Sequence, residues 1–198
     1  MTTRTSHILL VMSAFLAGIV IFLGVFLYAT GNLGSGGPGA SAIGGPFTLT
    51  DQNGKTITDK DMKGKPFLVF FGYTHCPDVC PTSLFEMSEL MRVLGADADK
   101  TRAIFITVDP ERDTPAAMKD YLSSFDPHLI GATGDQKQIE AAEKAYRVYA
   151  KKVPTDKGDY SMDHTALIYL MDKQGRFVAP FSLKRSPQAA ADDLRKYM

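Results

Sequence analysis

The sequence predicts an α/β sandwich behind a membrane-spanning helix, and three observations predict it. Two continuous apolar runs, 66–73 (PFLVFFGY) and 103–108 (AIFITV), flank a stretch of helical periodicity, and two buried strands joined by a helix imply a parallel pair. The 22 Lys+Arg and 22 Asp+Glu of the 198 residues are unevenly placed, with Arg4 the one charged side chain before Pro46. Residues 8–30 are a 23-residue run without a charge, about 35 Å long as a helix against a hydrocarbon core of about 30 Å.

The apolar run has no amphipathic face and exceeds the roughly 7–15 residues of a signal-peptide core, so an uncleaved anchor is expected over 1–30. Arg4 and the amino terminus precede it, and the next basic residue is Lys55. The positive-inside rule then leaves the amino terminus in the cytoplasm and the rest outside. An amino terminus this short and poor in arginine is not a mitochondrial presequence. We therefore expect a single-pass protein of the bacterial inner membrane with its carboxyl-terminal domain in the periplasm. Residues 31–45 hold seven of the 17 glycines and read as a flexible linker, spanning on the order of 20 Å.

Residues 46–198 form one domain by length. Phe47 and Leu49 alternate with threonines, and Gln52-Asn53-Gly54 reads as a hairpin turn. Run 66–73 is a buried central strand. After Pro81, Leu84, Met87, Met91 and Leu94 recur at helical spacing. Run 103–108 is a second buried strand. Thr114-Pro115 is an N-cap with proline at the first helical position, opening a helix to about Phe125. Leu129–Ala132 reads as a short edge strand. Ile139, Ala142, Ala145 and Tyr146 mark a further helix. Residues 165–171 form a third strong strand, Asp172–Gly175 turns into 177–181, and Ser186-Pro187 opens a last helix. This is the element order of a thioredoxin-like sandwich.

Composition excludes several classes of function. Zero net charge leaves no electrostatic footprint for nucleic acid. Two cysteines exclude a disulfide scaffold and any four-cysteine zinc or iron–sulfur site. An apolar fraction of 44% argues against a disordered chain.

The chemistry concentrates in Cys76-Pro77-Asp78-Val79-Cys80-Pro81, between a buried strand and a helix start. The helix dipole favours thiolate at Cys80. Residues four apart in a helical turn have Cα atoms about 6 Å apart, inside the disulfide window of roughly 4.4–6.8 Å. The pair can close reversibly as a disulfide, or both sulfurs can grip one metal. A ring this small removes little unfolded-state entropy, so a stabilising staple is disfavoured. Dithiol reductases of the thioredoxin type use CxxC and a proline before a late strand. Here three residues intervene, no proline occurs between Pro154 and Pro180, and His164 takes the place opposite the cysteines. Two thiolates and an imidazole suit copper in particular, with zinc as competitor. His75 is adjacent but points away in an extended segment, and Met162 shares a strand face with His164 but is expected to pack. His7 and His128 carry no site signal. In Val108–Thr114, Asp113 and Thr114 read as turn and cap chemistry, with Asp109, Glu111 and Arg112 weighed as a polar or docking rim. Asp78 is left open between the site and its surroundings.

The strings GYTHCPDVCP, VDPERDTP and MDHTALIYLMDKQG, in that order and with the apolar amino terminus, resemble the SCO/SenC copper proteins over nearly the whole soluble part. The resemblance implies a thioredoxin-like fold with an inserted hairpin. It implies one copper ion, Cu(I) or Cu(II), held by Cys76, Cys80 and His164. It implies a role in maturing the binuclear copper site of cytochrome c oxidase subunit II, by copper donation, by reduction of that subunit's cysteine pair, or both. Further partners would be other periplasmic copper chaperones and thiol reductases. Two other readings compete. A dedicated thiol-disulfide reductase would use Cys76 and Cys80 without metal. A thiol peroxidase is suggested by VCPTSLFEM, but the threonine such sites place three residues before the cysteine is missing, with Pro77 and Tyr73 at the relevant positions.

Overall fold

A computed structural model describes residues 3–32, 43–156 and 158–198, with side-chain surroundings for 12–26, 43–156 and 158–198. The chain divides into two units, Met1–Ala40 and Ser41–Met198. In the first, helix α1 runs Thr3–Asn32, and side chains 12–26 are exposed throughout. Among the described residues no helix is long and apolar enough to cross a membrane. The side chains described in α1 cover about 22 Å of helix, short of a hydrocarbon core. The expected span over 8–30 includes side chains at both ends that lie outside the described residues. So does the expected linker between residues 33 and 42.

The second unit contains the strands β1 (Thr48–Asp51), β2 (Thr56–Thr58), β3 (Phe67–Gly72), β4 (Arg102–Thr107), β5 (Leu129–Thr133), β6 (Ala150–Pro154), β7 (Tyr160–His164), β8 (Ile168–Met171) and β9 (Phe177–Pro180). Its helices are α2 (Asp59–Met62), α3 (Val79–Leu94), α4 (Pro115–Leu122), α5 (Gln136–Tyr146) and α6 (Pro187–Arg195). Seven strands form one mixed sheet in the order β2-β1-β5-β4-β3-β8-β9, and β6 and β7 form a separate hairpin.

β3 is central because every one of its residues is buried. It pairs parallel with β4, Phe67 opposite Arg102, and antiparallel with β8, Phe70 opposite Ile168. The Phe70 and Phe105 rings stack across that parallel pair at 5.8 Å. α3 buries Leu84, Met87, Leu90, Met91 and Leu94, each contributing about 1.5–3 kcal/mol when fully buried. The expected caps form: Thr114 accepts from the Ala117 N–H, with Pro115 opening α4, and Ser186 does the same for α6.

Two expectations need correction, and one strand was not expected. Leu129–Ala132 is an interior strand, because the β1–β2 hairpin pairs onto its outer side through Thr50–Thr133 and Asp51–Ala132. The strand expected over 165–171 begins at Ile168. Its first residues continue from the β6–β7 hairpin, where the Thr165 N–H donates to the Tyr149 carbonyl at 3.0 Å. β6 carries no strand signal in the sequence, since AKKVP is almost wholly exposed and has no apolar alternation. The parallel β3–β4 pair sends the loops 73–78 and 108–114 out at the same end of the sheet, where parallel sheets place their sites.

Candidate metal centre

The loop after β3, the start of α3 and the end of β7 bring the candidate ligand atoms together. Cys76 lies in the loop after β3 and Cys80 in the first turn of α3. The loop folds back so that the Cys76 N–H donates to the Tyr73 carbonyl at 3.3 Å and the Cys80 N–H donates to Cys76 Sγ at 3.4 Å. Both thiols are free. Cys80 is fully buried, whereas Cys76 retains 9% exposure. His164 ends β7 and points its Nε2 at Cys80 Sγ, 3.7 Å away. Its Nδ1 lies 3.2 Å from the Thr165 carbonyl. A carbonyl can only accept, so Nδ1 carries the proton and Nε2 offers its lone pair toward the thiols. The Tyr73 ring meets the imidazole edge-on, centroids 5.8 Å apart at 87°.

One ligand atom from each of Cys76, Cys80 and His164 lies within 4.8 Å of the others. An ion with bonds of about 2.0–2.3 Å can draw such a trio together with small adjustments. Gly72 makes the approach possible: a Cβ there would meet Cys80 Sγ and Phe105 Cε2, each at 2.7 Å.

Burial favours the neutral forms of Cys80 and His164 in the metal-free protein. Burial pushes the Cys80 thiol up, outweighing the Tyr73 N–H that pulls it down, and the neighbouring Cys76 raises it further. This corrects the expectation of a dipole-stabilised thiolate at Cys80, because desolvation exceeds the pull of one helix end. Burial also lowers the His164 pKa, against the Thr165 carbonyl and the Asp163 charge, so the imidazole is held in the form that binds metal. A soft cation would displace the Cys80 proton as it binds.

His75 is exposed, bonds Thr74 Oγ1 at 3.0 Å and lies outside the ligand trio, in a turn and not in the extended segment expected. Asp78 is an exposed N-cap whose side chain makes no cap hydrogen bond. Met162 is half-buried and packs against the core. His128 pairs with Asp126 at 2.7 Å, and the His7 side chain lies outside the described residues.

The 109–113 segment works inward more than as a rim. Asp109 is 1% exposed and accepts from Arg112 and from the Tyr160 hydroxyl, the latter at 2.9 Å. Only Glu111 is an outer group, pairing with Lys152 at 2.7 Å. Asp113, expected as turn chemistry, is fully buried. It accepts from the Thr74 N–H at 3.0 Å, Thr74 Oγ1 at 2.6 Å and Thr107 Oγ1 at 2.6 Å. Sequence reasoning missed Asp113, Tyr73 and Gly72 as supports of the centre. A glycine inside the apolar run 66–73 is the signal that could have marked a close approach.

A cleft of about 570 Å³ beside Phe47, Thr58 and Gln138 shares no residue with this centre. The centre lies at the carboxyl end of the parallel strands, with both cysteines buried and His164 half-buried.

Comparison with known proteins agrees with this geometry. The SCO1/SenC family model matches residues 35–198. The SCO2-like protein RC0895 of Rickettsia conorii is 41% identical over 155 residues, 77% of this chain and 76% of the relative. The structure of Bradyrhizobium japonicum ScoI with copper bound is 72% identical with a TM-score of 0.77, covering 79% of this chain and 99% of that one. BsSco, described with a disulfide switch and as a member of the Sco family of cytochrome c oxidase assembly proteins, is 26% identical with a TM-score of 0.61, covering 77% and 91%. With a matching family model over most of its length and the thioredoxin-like Sco fold, the chain belongs to the SCO1/SenC family.

Proposed function

We propose that this chain is a membrane-anchored, periplasm-facing copper protein of cytochrome c oxidase assembly. It holds one copper ion through Cys76, Cys80 and His164 and delivers it to, or reduces the cysteine pair of, the binuclear copper site in subunit II. The observation that carries the reading is the convergence of two thiols and an imidazole at one site, in a chain 72% identical to a copper-bound relative. Copper fits the donor set: Cu(I) is content with two thiolates, and Cu(II) accepts an imidazole beside them. Residues 1–30 are the anchor, 31–45 the linker and 46–198 the copper domain. The charge-free run 8–30 and the lone Arg4 support that arrangement, and protease added to spheroplasts should degrade the carboxyl-terminal domain.

The reductase alternative draws on the disulfide switch described for BsSco and on the greater exposure of Cys76. Cys76 as thiolate would attack a client disulfide and release one client thiol. Cys80 would then attack the mixed disulfide, leaving a Cys76–Cys80 disulfide and a second client thiol. Copper is absent from that sequence, so the two roles separate cleanly.

The test titrates the reduced full chain in detergent micelles with copper. One tight equivalent and a thiolate charge-transfer band for Cu(II) are expected. Equal affinity of a His164→Ala variant in both oxidation states would overturn the ligand assignment. Mixing copper-loaded or copper-free protein with an oxidised subunit II copper domain, with metal and disulfides followed separately by mass spectrometry, distinguishes donation from reduction.

A further inference from the structure

We infer that Arg112 is a positioning residue for the metal centre, fixing the β6–β7 hairpin, and with it His164, against the end of β3. The inference rests on the ligand set proposed above. Among the described residues β6 and β7 pair only with each other, from Ala150–His164 to Pro154–Tyr160. No ladder sets the hairpin's angle to the main sheet, so side-chain contacts act beside the short link 165–167 to set it. His164 stands at one end of β7 and Tyr160 at the other.

Arg112 grips the Tyr160 end. Its Nη1 donates to the Tyr160 carbonyl at 3.0 Å and to Asp159 Oδ1 at 3.3 Å. Its guanidinium stacks 3.7 Å from the centroid of the Tyr160 ring, with the Tyr73 centroid 5.7 Å away. Its Nε donates to Asp109, whose other oxygen takes the Tyr160 hydroxyl. The Arg112 side chain is only 16% exposed, and its Nη2 is buried without a hydrogen-bond partner among the described residues. An arginine serving only solubility would not carry that desolvation. Tyr73 is the shared element: it packs against Arg112 and meets His164 edge-on. A planar guanidinium can stack and bond in this way, whereas an ammonium cannot do both.

Cys76 sits on the β3–α3 connection and Cys80 in the first turn of α3, and the loop is held by backbone and by Asp113. Removing Arg112 should therefore displace the imidazole and leave the thiols in place. Copper(II), which draws on the imidazole, should suffer, and copper(I) held by two thiolates should not.

The experiment uses the full chain in detergent micelles, with Arg112→Gln and Arg112→Lys made alone and with His164→Ala. Chelator competition gives Cu(I) and Cu(II) affinities, the charge-transfer band reports Cu(II) geometry, and amide hydrogen exchange at Met162–His164 is followed without metal. Arg112→Gln should weaken Cu(II) binding about tenfold or more, shift the band and speed hairpin exchange, with Cu(I) affinity changed by less than about threefold. Its effect on Cu(II) should vanish once His164 is already alanine, and Arg112→Lys should restore part of the loss. Equal losses for both oxidation states, full additivity with His164→Ala, or unchanged hairpin exchange would overturn the inference. Should Arg112→Gln fail to fold, Tyr160→Leu removes the stacking partner from the hairpin side and must show the same selectivity. A parent protein that binds no copper would sink the ligand reading, while metal-free exchange would still decide whether Arg112 holds the hairpin.

Discussion

Cys80 Sγ and His164 Nε2 lie 3.7 Å apart across 84 residues of chain, and the space for that contact is left by a missing side chain at Gly72. The sulfur is packed against the Gly72 backbone on one side and faces the imidazole on the other. Any atom added at position 72 pushes the sulfur toward the histidine or the Phe105 ring away from its stack on Phe70.

Gly72→Ala should therefore destabilise the reduced, metal-free protein by about 1–3 kcal/mol, the usual range for overpacking. It should also change the Cu(II) charge-transfer band. Adding Phe105→Leu should recover part of the stability, because it removes the Phe105 ring atoms the new methyl meets, but leave the band altered. Urea titration and absorption spectroscopy read the two effects separately. A Gly72→Ala protein as stable as the parent would show that the core yields there.

The two cysteines should differ sharply in reactivity. Cys80 is fully buried and its thiol is pushed up by that burial, whereas Cys76 retains 9% exposure. Since the thiolate is the nucleophile, iodoacetamide should modify Cys76 at least about tenfold faster than Cys80. Peptide mapping after brief alkylation of the reduced, metal-free protein checks this. Equal labelling would mean that the α3 start opens in solution.

The sequence made some of this legible and hid the rest for physical reasons. The cysteine pair was readable because its spacing and its place between an apolar run and a helix are local. His164 was readable because it stands where a proline would be expected in a related fold. β6 was not, since all of its residues but Ala150 are exposed and no buried face imposes a period on AKKVP. The interior position of β5 depends on a hairpin some 80 residues earlier, which no local pattern reports. Asp113 was misread because an aspartate before Thr-Pro has the signature of a cap, and only tertiary packing turns it inward. The thiolate expected at Cys80 failed in the same way: the helix dipole is a local property, and burial is not.

Asp113 should prove costly to remove. Its carboxylate accepts from the Thr74 N–H and from two threonine hydroxyls inside the protein. Asp113→Ala leaves those donors unpaired and should cost about 3 kcal/mol or more. Asp113→Asn keeps one acceptor oxygen and should cost less. Because Thr74 opens the cysteine loop, Asp113→Ala should weaken Cu(I) and Cu(II) binding together, unlike Arg112→Gln. Denaturant titration and copper competition on the same preparations test both statements. A loss confined to Cu(II) would refute the assignment of Asp113 to the cysteine side.

Glu143 should give the folded domain a pH dependence near neutrality. It sits on α5 above a cleft lined by Asp109, Glu111, Lys151 and Lys152. Burial, with the Glu140 charge second, pushes its pKa from 4.5 up to about 7. A raised acid means that the folded state binds more protons than the unfolded state between those values. Its contribution is complete below about pH 4.5 and is lost as pH rises through about 7. The carboxyl is partly solvated, so the stability at stake is discounted to about 1 kcal/mol. Glu143→Gln should remove this dependence, gaining on the parent by about 1 kcal/mol between pH 5 and pH 8. Urea titrations of both proteins at the two pH values measure it. A parent-to-variant difference that stays constant across that range would show that Glu143 ionises freely in the folded protein.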